Sequence, residues 1–142
     1  MVEYYDTIFK RKSFHLFRNV GNDKVSKDEF CQIELNYFDY KFQDAKGKVE
    51  LLEKWNIPVW VMEPVRGGQL ATLSDEATDK LKAVRPDEDV PAWSFRFLQS
   101  IPSVVVTLSG MSNMEQLKAN VKTYEENKPL NEADREIHRS SY

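Results

Sequence analysis

Cysteine occurs once, at position 31, which excludes an internal disulfide and any metal site built from cysteines alone. The two histidines, His15 and His138, lie far apart in the chain and neither shows metal-ligand spacing. Glycine is scarce, with five residues, and no Rossmann fingerprint, Walker loop or nucleophile elbow occurs. No apolar run approaches the ~18 to 20 residues needed to span a bilayer. The opening MVEYYDTIFKRK lacks the order of charged, apolar and small residues that marks a signal peptide, so a cytoplasmic location is expected. Basic charge is not in surplus either: 20 Lys and Arg stand against 23 Asp and Glu, a formal charge of −3. A surface that displaces counterions from phosphates needs such a surplus, so neither a nucleic acid nor a membrane is expected as a partner.

What is present is material for a core. The 142 residues are 41% hydrophobic and include three Trp and eight Phe, enough for one ordinary domain. Cys31 opens an apolar run, where a buried, inert thiol is the simple reading. From about Val2 to Phe9 the pattern is helical, and a basic, aromatic stretch, KRKSFHLFR, leads to a Gly-Asn-Asp turn. FCQIELNY then reads as a strand, with its Cys, Ile, Leu and Tyr buried. QDAKGKVELLEKWN is a helix carrying Ala45, Val49 and Leu52 on one stripe. IPVWVMEPV is a buried strand, RGGQLATL a loop, and SDEATDKLKAV a helix opened by Ser74. Pro91 suits the first turn of the helix PAWSFRFLQS, and IPSVVVTLS is a third strand. In SNMEQLKANVKTYEE, Met114, Leu117, Val121 and Tyr124 form one stripe, and Ser112 with Glu115 predicts a capping box. NEADREIHRSS is a last helix capped by Asn131. Strands alternating with helices from Phe30 onward predict parallel βα units with right-handed crossovers. Three parallel strands leave two open edges, through which a second chain could pair.

In such folds ligands sit at the carboxyl ends of strands, which directs attention to residues 36–40, 62–68 and 109–113. The start of the helix that follows the third strand offers N–H groups and a positive dipole end to an anion, although the same residues could do no more than cap it. In MEPVRGG two glycines permit close backbone approach and Arg66 could pair with an anion, but a plain surface turn fits equally. Glu63, at a strand end, has no obvious partner for acid-base work.

Three motifs in order, FCQIELNYFDYKFQDA, IPVWVMEPVRGGQLATL and PAWSFRFLQSIPSVVVTLSGMSNMEQLKANV, resemble the C-terminal half of an aldo-keto reductase, of the bacterial predicted-oxidoreductase branch. The resemblance runs from residue 30 to about 137, roughly three quarters of the chain. It implies an α/β fold, a partial (β/α)8 barrel made of the last three parallel βα units, with the domain over 30–142 preceded by a helical arm over 1–29. It also implies NADP or NAD at the barrel mouth. Carried onto this sequence, Gln32 matches the glutamine at the nicotinamide carboxamide, and Met62 stands where many members stack a tyrosine on the ring. Glu63, Arg66 and Gly67 match the loop over the pyrophosphate, with Glu63 replacing a serine and bringing a negative charge there. Ser109, Gly110, Met111 and Ser112 match the turn for the adenosine ribose and its phosphate, and Gln116 and Asn120 face the adenine end. No Lys or Arg stands at Gly110 or Gln116 to hold a 2′-phosphate, which leaves NAD and NADP open. The family's Asp, Tyr, Lys and His tetrad lies in the other half of its barrel, so this chain is expected not to reduce a carbonyl alone. The cysteine-rich tail of some relatives has no counterpart, and no iron–sulfur cluster is expected.

The arm YYDTIFKRKSFHLFR resembles the opening of FMN-dependent nitroreductases, with Arg11, Lys12 and Ser13 matching a flavin-phosphate motif. Such flavin sites need much more chain than this, so FMN is not expected. Three readings follow: a dinucleotide-contacting reductase fragment without catalytic residues, a noncatalytic dimerising module, and a nitroreductase-like flavoprotein.

Overall fold

A computed structural model of the chain describes residues 30–140. The arm over 1–29 and its flavin-phosphate motif lie outside the described residues. Three strands, β1 (Cys31–Glu34), β2 (Val59–Met62) and β3 (Val104–Thr107), form one parallel sheet in the order β1-β2-β3. A short helix α1 (Asp39–Phe42) and a longer α2 (Ala45–Lys54) connect the first two strands. A 3-10 turn (Gln69–Ala71), α3 (Asp75–Val84) and α4 (Val90–Gln99) connect β2 to β3, and α5 (Met114–Glu125) and α6 (Glu132–Ser140) follow. The predicted parallel βα order is therefore present, with α1 as an addition: Asn36 Oδ1 accepts from the amide of Asp39 and turns the chain into a helix directly after the strand.

The alternation of β1 and β2 sorts their residues onto two faces. Cys31, Ile33, Val59 and Val61 face the helices and pack with Val49 and Leu52 of α2 and Leu98 of α4. Gln32, Glu34, Trp60 and Met62 occupy the opposite, half-buried face, with Gln32 paired to Trp60 and Glu34 to Met62. A second, smaller core of Leu81, Trp93 and Leu130 joins α3 and α4 to the segment before α6.

The helix starts follow ordinary capping chemistry. Ser74 accepts from the Ala77 amide, Asp89 from that of Ala92 just before Pro91, and Asn131 from that of Asp134. The start of α5 differs from the capping box predicted on Ser112 and Glu115. Asn113 is the cap, its Oδ1 accepting from the Gln116 amide at 2.9 Å, while Gln116 Oε1 reaches back to the Ser112 amide at 2.7 Å. Both pairs have the spacing for a reciprocal cap, and the extended backbone of Asn113 decides between them. The stripe of α5 is present as a stripe, but its residues keep much of their surface exposed; the helix packs on α4 through buried Thr123 and through the Tyr124 ring, edge-on to Phe95 at 5.6 Å.

Candidate functional site

Because the strands are parallel, the segments after β1, β2 and β3 emerge at one edge of the sheet. After β2 the backbone enters the left-handed region at Glu63 (φ 54°), Arg66 (φ 51°), Gly67 (φ 60°) and Gly68 (φ 89°). Two of these are not glycine, a conformation that costs free energy and needs support from neighbours. Buried Asn36 supplies it, donating from Nδ2 to the Glu63 carbonyl at 3.0 Å and to Asp39 Oδ2 at 2.8 Å. Asp39, also buried, holds Arg66 Nε at 3.4 Å and accepts from Gln43. The Arg66 guanidinium lies 4.5 Å over the Phe38 ring and reaches Gln69 Oε1 at 3.3 Å. Arg66 is thus anchored by residues from the segment after β1, a link that sequence reading did not supply. The Glu63 carboxylate lies over Gly67, 3.7 Å from where a side chain there would begin, so the loop carries its own negative charge. Within the loop the amides of Arg66, Gly68, Gln69, Leu70 and Ala71 all donate to loop carbonyls.

After β3, the Leu108 amide donates to the Val61 carbonyl, and the chain then turns through Ser109, Gly110, Met111 and Ser112 into α5. Gln116 and Asn120, one helical turn apart, both face this turn: Gln116 binds the Ser112 amide, and Asn120 Nδ2 donates to Ser109 Oγ at 3.4 Å. Gly110 has open space around it and no positive φ, so nothing in the turn requires glycine there. With the Gln116 amide on Asn113, the amides of Met114 and Glu115 remain at the positive end of the helix. Gln32 and Met62 share the half-buried face of the sheet below these loops. The predicted residues therefore gather at one edge in three groups, a strand face, the β2 loop and the β3 turn, with the turn as the group that presents helix amides.

Two arginines missed in the sequence hold this frame. Arg96, fully buried in α4, donates to Glu88 Oε1 at 2.9 Å and to the carbonyls of Thr123 (2.7 Å) and Glu126 at the end of α5. Arg85 binds the carbonyls of Lys128 and Pro129 and Asp134 Oδ2 at 2.7 Å. Burial pushes the Asp134 carboxyl up, but the hydrogen bonds from Arg85 and the Asn131 amide outweigh it and leave the group below its ordinary value. The signal in the sequence was a charged residue inside the apolar run WSFRFL.

A cavity of about 850 Å³ lies elsewhere, along the helical layer between Tyr40 and Val49 on one side and Phe97 and Ile101 on the other. None of the predicted site residues lines it. Among the described residues, no helix is long and apolar enough to cross a membrane, and no group of three His, Cys, Asp or Glu side chains is placed to hold a metal.

These are parallel βα units whose loops collect at the carboxyl edge of a sheet, the layout of an α/β ligand-binding fold. A solved structure of the thermostable aldo-keto reductase Tm1743, in complex with the inhibitor epalrestat, is similar to the chain with a TM-score of 0.59 and 20% sequence identity. The likeness covers 78% of this chain and 39% of that one, so the chain spans about two fifths of the length of that protein. At this identity the likeness shows the fold: three parallel strands and their helices arranged as in part of an aldo-keto reductase. No family model matches the chain, and no curated protein matches it in sequence.

Proposed function

We propose that residues 30–142 are the dinucleotide-recognising part of an aldo-keto reductase-type barrel, its last three βα units, and that residues 1–29 form a separate arm. In this reading the β3 turn and the start of α5 receive the phosphate-bearing end of NAD or NADP, the β2 loop lies along the pyrophosphate, and Gln32 and Met62 border the nicotinamide. The observation that carries the reading is the convergence of Gln116 and Asn120 on the turn 109–113, beside helix amides available to an anion. The Glu63 carboxylate over Gly67 weakens the pyrophosphate contact, and the anchoring of Arg66 by Asp39 leaves that guanidinium no full charge to offer. Binding is therefore weak and comes mainly from the β3 side. Without a proton-donating Tyr and its Lys and His partners, the chain recognises the cofactor and does not itself reduce a carbonyl.

Trp60 lies opposite Gln32 on the sheet and serves as the reporter. Titration with NADPH and with NADH is expected to quench tryptophan fluorescence saturably. No saturable change with either dinucleotide would sink the reading.

A further inference from the structure

Among the described residues nine large apolar side chains are exposed, and seven of them lie on one flank: Val105 (59%), Leu108 (44%), Met111 (42%), Met114 (61%), Leu117 (38%), Val121 (47%) and Tyr124 (41%). The patch runs from the outer side of β3, which among the described residues pairs only with β2, across the turn and down α5. Together these fractions amount to on the order of 600 Å² per chain, the upper end of what a monomer leaves open.

The pattern on α5 identifies what covers it. Met114, Leu117, Val121 and Tyr124 follow a spacing of three, four and three, the narrow seam of a helix that packs on one other helix. That spacing is unchanged by reversal about Ala119. Under a two-fold axis Met114 of one copy falls opposite Tyr124 of the other, and Leu117 opposite Val121, so each apolar position meets an apolar position. The rim contains Glu115, Lys118, Lys122 and Glu125, two charges of each sign, giving the polar border around an apolar centre that interfaces have. Thr123, on the other side of the helix, is held to α4 through Arg96 and Gln99, and the Tyr124 ring packs edge-on against Phe95, so the seam faces outward through Met114, Leu117, Val121 and the exposed part of Tyr124.

We infer that the β3 and α5 flank is the contact surface of a symmetric homodimer, formed by antiparallel crossing of two α5 helices with the two β3 edges beside them. Two such faces together remove at most about 1,200 Å², the lower bound of a specific interface. The contact takes in Met111 and the start of α5 and so borders the turn assigned to the dinucleotide, but the mass of the nucleotide-free chain tests it separately from cofactor binding.

Sedimentation velocity of the 142-residue chain at about 50 µM, a concentration at which a modest dimer is populated, is expected to give twice the 16.6 kDa chain mass. The double variant L117K/V121K, with unchanged far-ultraviolet circular dichroism, is expected to fall to the single-chain mass. Met114→Lys, at the most exposed of the seven positions, weakens the dimer by a separate and less intrusive change. A wild-type chain that sediments at single mass overturns the inference, and so do folded variants that all remain dimeric.

Discussion

The two sides of the sheet are made of the same kind of unit and packed in opposite ways. On the β1 and β2 side every second residue is sealed under helices: Cys31, Ile33, Val59 and Val61 are all 4% exposed or less. On the β3 side, VVVT is the most β-branched strand of the three, yet none of its residues is buried, and the helix that follows turns most of its apolar stripe outward, with Tyr124 resting edge-on against Phe95. Strand and helix formation there come from local pattern and from the clamp on the far side of α5, whereas burial needs a neighbour. The difference shows that the chain's core and its candidate site rest on separate supports: close packing for β1 and β2, and buried charge for α5.

The largest expected effect tests that second support. Arg96→Ala leaves Glu88 and the carbonyls of Thr123 and Glu126 without their donor, and is expected to destabilise the chain by about 3–5 kcal/mol, as loss of one partner of a buried pair does. Chemical denaturation measures it, and a loss under about 1 kcal/mol would mean that α5 is held by something else.

The first support is tested by a pair of leucines. Leu98→Ala, in the core under β1 and β2, is expected to cost about 2–5 kcal/mol. Leu117→Ala, on the outward stripe, should change the stability of the single chain by about 0.5 kcal/mol or less. Equal costs would erase the contrast between the two sides.

Asp134→Asn is expected to cost about 1–3 kcal/mol at neutral pH, since it takes the charge from the Arg85 contact while leaving both groups in place. The Asp134 carboxyl titrates below an unfolded aspartate, so its contribution is present in full above the unfolded value near about 4 and is lost as pH falls through the folded value. The gap between wild type and variant should therefore close on acidification. A gap that stays constant down to the folded value would contradict the pairing.

The smallest effect lies at the β3 turn. Gly110→Lys enters open space without backbone strain and places a cation beside the position assigned to the adenosine phosphate. It should favour NADPH over NADH by several-fold at low ionic strength and less so in salt. An equal change for both dinucleotides would move the 2′-phosphate away from this turn.

Much of the frame was legible in the sequence. The alternation in CQIE and VWVM, the caps at Ser74 and Asn131, and Pro91 at a helix start each encode a local preference that nothing distant opposes. Ser112 and Asn113 are both good caps with a suitable partner three residues on, so pattern alone could not choose between them. Periodicity located the stripe of α5 but carries no information about whether a neighbour is there to cover it. The anchoring of Glu63 by Asn36, and of Arg66 by Asp39 and Phe38, joins segments 27 or more residues apart through the sheet register, which no local signal contains. In the site itself, Gln116 and Asn120 were singled out by the family resemblance and not by any local pattern, and the internal use of the β2 loop amides was not legible, because it depends on four left-handed residues of which only two are glycine.

Amide hydrogen exchange with and without NADPH tests the central claim most directly, because it reports where the dinucleotide sits as well as whether it binds. The account predicts added protection at the amides of Met114 and Glu115 and through the turn 109–113, with a smaller change at 66–69 and none in α2 or α3. Protection absent from the β3 turn, or confined to the cavity beside Tyr40 and Phe97, would contradict it.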